Sequence, residues 1–160
     1  MVKITKNSTL LTKEGYERLL QKVEEIKKKV QKNREDMSRT ADNGDLSENA
    51  GYMAAKESYN NHRKSLNELQ DVLSEARVVE EDEITTDSVD FGTTVTVKDL
   101  DDDEEYSYRI VGSQEARMEK GEISVKSPVA QSLLGKETGE KVQVKTPAGE
   151  SRYEIIEIST

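Results

Sequence analysis

Two long stretches of this chain carry apolar residues at alternating intervals of three and four. Tyr16, Leu19, Val23, Ile26, Val30, Asn33 and Met37 form one seam. Tyr52, Ala55, Tyr59, His62, Leu66, Leu69, Leu73 and Ala76 form the other. This spacing puts a narrow apolar stripe along each helix and predicts a coiled coil. The seams are symmetric about Gly44-Asp45: Met37 falls opposite Tyr52, Val30 opposite Tyr59, Val23 opposite Leu66, and Tyr16 opposite Leu73. An antiparallel hairpin within one chain requires that symmetry, and a parallel dimer does not. At a rise of ~1.5 Å per residue, Tyr16 lies roughly 40 Å from the turn. Two seam positions are polar. Asn33 falls opposite Ala55 and His62 opposite Ile26, and both read as register devices.

From Phe91 onward the period becomes two. Val95-Val97, Tyr106-Ile110, Ile123-Val125, Val142-Val144 and Tyr153-Ile155 read as short strands. Asp99 to Glu105 is a polar hairpin loop and Pro147-Ala148-Gly149 a turn. Ser127, Pro128 and Gly135 bracket one short helix as N-cap, first-turn proline and terminal glycine. The expected fold is therefore α+β. It has a coiled-coil hairpin over 1–78, an acidic linker over 79–90, and a small, mostly antiparallel sheet with one helix over 91–160.

Composition agrees. Only 32% of the 160 residues are hydrophobic, low for one large core but enough for a thin seam plus a small domain. There is no cysteine, which excludes disulfides and thiolate metal sites. Neither a signal peptide nor a membrane span is legible, so the expected location is cytoplasmic. The formal charge of -9 disfavours general nucleic-acid binding. The charge is uneven, however: Lys27-Lys28-Lys29, Lys32, Arg34 and Arg39 are basic, and Glu80-Glu83 and Asp101-Glu105 acidic.

The turn carries the candidate chemistry: Asn43-Gly44-Asp45-Leu46-Ser47-Glu48-Asn49-Ala50. Gly44 can end the first helix, and Asp45 can cap the second with Glu48 closing a box-like pair. The same spacing also puts both carboxylates on one helical face, where they can share a hard cation such as Mg²⁺. A helix N-terminus opposes a cation. The acids therefore suit a metal site completed by a partner, of the kind used in two-metal phosphoryl transfer. His62, the only histidine, lies far from these acids and is not a candidate base.

This block, followed by Tyr52 and Ala54-Ala55-Lys56-Glu57, resembles the signature of the bacterial GreA/GreB transcript-cleavage factors, with details closer to GreA. Phe91-Gly92-Thr93-Thr94-Val95-Thr96-Val97, Tyr108-Arg109-Ile110-Val111-Gly112, Ser127-Pro128-Val129-Ala130 and Lys145-Thr146-Pro147-Ala148-Gly149-Glu150 resemble the family's C-terminal domain. The resemblance implies an FKBP-like second domain that docks at the rim of the RNA polymerase secondary channel through Ser127 and Pro128. It implies a coiled coil that threads the channel. Asp45 and Glu48 then help hold Mg²⁺ jointly with the polymerase, which cleaves its own backtracked RNA. On this view the chain is a cofactor and has no independent active site. Arg39, Lys56 and Arg63 are the candidate contacts to the nascent RNA 3' end, and a monomer can bury its own seam. Lacking aromatic walls, the FKBP-like domain is not expected to be an isomerase.

Two positions depart from the family pattern. Gly51 stands where an acid is usual, and Met53 where a histidine is. Gly51 costs up to about 1 kcal/mol of helix stability relative to Ala and removes a charge beside the acids. A channel-occupying regulator that does not stimulate cleavage is the alternative function. A coiled-coil holdase is a third, disfavoured because both seams are used internally.

Overall fold

Between Thr9 and Glu75 the chain has no proline and is rich in Lys, Glu and Leu, residues that lose little freedom in a helix. It forms two long helices, α1 (Lys13–Ala41) and α2 (Ala50–Glu75). The structure, a computed structural model, describes Val2, residues 9–42 and residues 49–160. Two compact units result. One is Glu17–Glu75, and the other joins Met1–Tyr16 to Ala76–Thr160.

In the helical unit Val23, Ile26, Val30 and Leu66 are buried together, with Tyr59, Leu69 and Leu73 packed against them. All seven are predicted seam residues. The polar seam residues pair differently from the symmetry. Asn33 Oδ1 lies 2.6 Å from His62 Nδ1, so the two polar seam residues meet each other. Helical side chains lean toward their own N-terminus. In an antiparallel pair, a residue of α1 and one of α2 nearer the base therefore lean together. Arg34 follows the same rule, with its guanidinium 5.7 Å from the ring centre of Tyr59.

In the other unit β1 (Thr9–Thr12) runs parallel to β2 (Ala76–Val79). A five-stranded sheet follows, from β3 (Thr94–Asp99), β4 (Glu105–Val111), β5 (Glu122–Ser124), β6 (Lys141–Thr146) and β7 (Gly149–Ser159). Its order is β5-β4-β3-β7-β6, antiparallel except for β4 with β5. The helix α3 (Pro128–Leu133) packs on β6 and buries Ala130 and Leu133. Phe91, Val95, Val97, Ile110, Val144 and Ile155 form the centre of the core.

The expected boundaries shift. Residues 79–90, expected as a linker, belong to the β unit, because Val79 and Val89 are buried in its core. Asp90 is buried and accepts the N–H groups of Val2 and Phe91, both at 2.7 Å. A short 3-10 turn, Glu81–Glu83, carries the acidic run, and Glu83 pairs with Arg77. Ala76, expected to end the second seam, begins β2 instead.

The root of α1 also belongs to the β unit. Thr12 caps the helix, its Oγ1 accepting the Gly15 N–H at 3.0 Å. That hydroxyl donates to Glu115 Oε2 at 2.7 Å, and Glu115 Oε1 accepts the N–H groups of Thr12 and Gly112, both at 2.9 Å. Glu115 is 3% exposed. Glu14 pairs with Arg109 at 3.0 Å. No helix among the described residues is long and apolar enough to cross a membrane.

Candidate functional site

The helices flanking the candidate turn end in defined ways. The last turn of α1 contains Arg39, a cation where the helix dipole is negative. Its carbonyls from residues 38–41 lack helical donors by construction. At the other side, the cap of α2 is Asn49. Its Oδ1 accepts the Tyr52 N–H at 3.0 Å, the N-cap to N3 bond. Its Nδ2 donates to the carbonyl of Thr40. One amide thus serves an orphan acceptor of α1 and an orphan donor of α2. The capping role expected of Asp45 falls on a residue outside the described ones, and the cap of α2 as it begins at Ala50 is Asn49.

Asp45 and Glu48, the candidate catalytic and Mg²⁺-holding pair, lie outside the described residues, as does Gly44. Among the described residues no group of three or more His, Asp or Glu side chains could hold a metal ion. Gly51 stands in the first turn of α2, which contains no acid. A Cβ built there would lie 3.4 Å from both Asn49 Oδ1 and Thr40 Cγ2, ordinary contact distances. Met53 is half-exposed.

The three candidate RNA-binding cations are distributed over both helices. Arg39 is exposed and pairs with Asp36 at 2.8 Å, an i,i+3 contact that is weak in water. Lys56 is exposed on α2, on a surface lined also by Ala50, Met53, Ala54, Glu57, Asn60 and Asn61. Arg63 follows two turns later, on the same side of the helix, and is half-buried. In the β unit, Ser127 is the N-cap of α3, its Oγ accepting the Ala130 N–H at 3.2 Å, and Pro128 occupies the first turn. Pro128 is exposed and Ser127 half-buried. The Ser127 hydroxyl keeps its own proton free to donate.

Residues 9–78 match the family model described as transcription elongation factor, N-terminal, and residues 84–160 match transcription elongation factor, GreA/GreB, C-terminal. The chain belongs to the GreA/GreB family of transcription elongation factors. It is 46% identical over 153 residues to the transcription elongation factor GreA of Chloroherpeton thalassium, covering 95% of this chain and 97% of that one. It is 40% identical over 148 residues to the transcription elongation factor GreA of a Nitratiruptor species, covering 92% and 91%. Among solved structures, GreA factor homolog 1 of Thermus thermophilus is 28% identical, with a TM-score of 0.44 over 96% of this chain and 100% of that one.

Within this GreA/GreB chain, Asn49 is the residue that motif reasoning passed over. The signal was present. Asn is a preferred N-cap, and Asn49 stands three residues before Tyr52, at the cap-to-N3 spacing. It was masked by Asp45, an equally good capping residue in the same block.

Proposed function

We propose that this chain binds RNA polymerase and stimulates cleavage of the 3' end of backtracked nascent RNA, acting as a cofactor of the polymerase. The observation that carries this is the family match over both halves of the chain, combined with an acid pair placed between the end of α1 at Ala41 and the start of α2 at Ala50. Asn49 supplies the cap of α2, so capping that helix does not call on Asp45 or Glu48.

The division of labour follows from the donor types. Two carboxylates offer the oxygen ligands that Mg²⁺ prefers, and a pair is too few to hold the ion without donors from the polymerase. Bound there, Mg²⁺ supplies charge stabilisation and a water of lowered pKa. Asp45 and Glu48 would hold the ion jointly with the polymerase and orient the attacking water. Arg39, Lys56 and Arg63 hold RNA phosphates by charge. Arg39 gives up little when it exchanges Asp36 for a phosphate, since an exposed pair contributes about 1 kcal/mol or less. Ser127 and Pro128 form part of the docking surface, and the chain works as a monomer.

The test is RNA cleavage in stalled, backtracked elongation complexes, comparing wild type with Asp45→Ala at matched polymerase occupancy. The expected outcome is stimulation by wild type and a loss of about a hundredfold in the variant, the scale of a misplaced reacting group. Binding without any stimulation by wild type sinks the proposal. It would favour the second function, a channel-occupying regulator. One residue favours that alternative: Gly51, which leaves the first turn of α2 without an acid.

A further inference from the structure

We infer that Asn49 is a positioning residue for the tip: its side chain clamps the end of α1 to the start of α2 and fixes the span that residues 42–48 must bridge. The inference rests on the cleavage function proposed above.

Two observations carry it. The Asn49 amide touches both helix ends, accepting from Tyr52 N–H and donating to the Thr40 carbonyl. The orientation of the amide is forced, because Tyr52 N–H can only donate and the Thr40 carbonyl can only accept. Thr40 is itself held, its Oγ1 donating to the Asp36 carbonyl at 2.7 Å. The carbonyl that Asn49 grips is therefore part of an ordered last turn.

The consequence concerns geometry. A short segment between two helix ends is constrained mainly by the separation of those ends. If that separation is fixed, the segment samples few conformations. If it varies, acids carried on the segment spread over many positions. Displacements near 1 Å at a reacting centre cost about a hundredfold in rate. Asn49 touches no reacting atom and acts through this separation.

The side chain allows a clean dissection. Asn49→Asp keeps the size and the capping oxygen but cannot donate to the Thr40 carbonyl. Asn49→Ser is a neutral cap too short to reach Thr40, and it controls for the added charge. Both variants retain a favourable N-cap, so α2 forms. Two readouts are taken on the full-length chain. The first is the cleavage rate at saturating factor, with affinity for polymerase measured separately. The second is dipolar broadening between spin labels on cysteines introduced at the exposed positions Ser38 and Ala54, possible because the chain has no cysteine of its own.

The expected result is a sharp interspin distance in wild type and a spread distance in both variants. Saturated cleavage should fall about tenfold or more, with affinity changed less than about twofold. An unchanged distance in Asn49→Asp overturns the clamp whatever the cleavage assay shows. A spread distance with unchanged saturated cleavage overturns the positioning role. If wild type stimulates no cleavage, the proposed function fails, and the distance measurement still decides the clamp.

Discussion

The first turns of α1 and α2 use the same device in different surroundings. Each is opened by a short polar cap, Thr12 or Asn49, that accepts an N–H three residues on. Each cap has a second bond: Thr12 donates to the buried carboxylate of Glu115, and Asn49 to the Thr40 carbonyl. Each turn carries a glycine. At Gly15 a Cβ would sit 1.3 Å from Glu115 Oε2, whereas at Gly51 its nearest neighbours are at 3.4 Å. Gly15 is thus required by a neighbour that fills its space. Gly51 is not required by packing, and the room beside it is adequate for a side chain. The same residue type is a structural necessity in one helix and a removable weakness in the other.

The largest expected effect tests the crowded side. Gly15→Ala must displace Glu115 and leave the Thr12 and Gly112 N–H groups without their acceptor. Lost bonds to a buried carboxylate make this cost about 3 kcal/mol. Chemical denaturation should show a lowered midpoint, and a stability equal to wild type would break the contrast. The converse change is smaller and opposite in sign. Gly51→Ala should stabilise by up to about 1 kcal/mol, read as a rise in the melting midpoint of the helical signal. A destabilisation would mean that the space beside Asn49 is less free than the structure indicates.

The smallest effect is confined to the β unit. Burial first, and then the neighbouring Tyr153 and Asp99, push the Tyr108 phenol up from 10.0 to about 12. A phenol whose pKa is raised on folding contributes stability that is fully present below pH 10 and is lost as pH rises through about 12. Denaturation midpoints between about pH 9 and 12 should therefore fall more steeply in wild type than in Tyr108→Phe. Equal slopes would remove Tyr108 as the source. The effect is modest because the group is partly open to water.

Much of the fold was legible because its signals are local. The two seams gave α1 and α2, since a three-four spacing has meaning only on a helix. Alternation gave β3, β4, β5, β6 and β7, and Ser127-Pro128 with Gly135 gave α3. The strands β1 and β2 escaped. Each has four residues and abuts a long helix: β1 lay inside the range expected for the hairpin, and Ala76 of β2 continued the spacing of the second seam. Their pairing joins residues more than sixty apart, which no local pattern encodes. The 79–90 stretch escaped for a related reason. Its acidic run has the composition of a linker, and the two valines that anchor its ends are too sparse to show a period.

By itself, the sequence determined that the chain makes a helical hairpin and a small β domain, and that two acids stand at the turn. These follow from spacing and residue type, which act over a few neighbouring positions. Only the tertiary structure decided which groups meet: Asn33 with His62, Thr12 with Glu115, and Asn49 with the Thr40 carbonyl. Such contacts depend on the lean of side chains and on backbone brought together from distant parts of the chain. A hydrogen bond is specified to tenths of an ångström, whereas a heptad pattern fixes position only to about one helical turn.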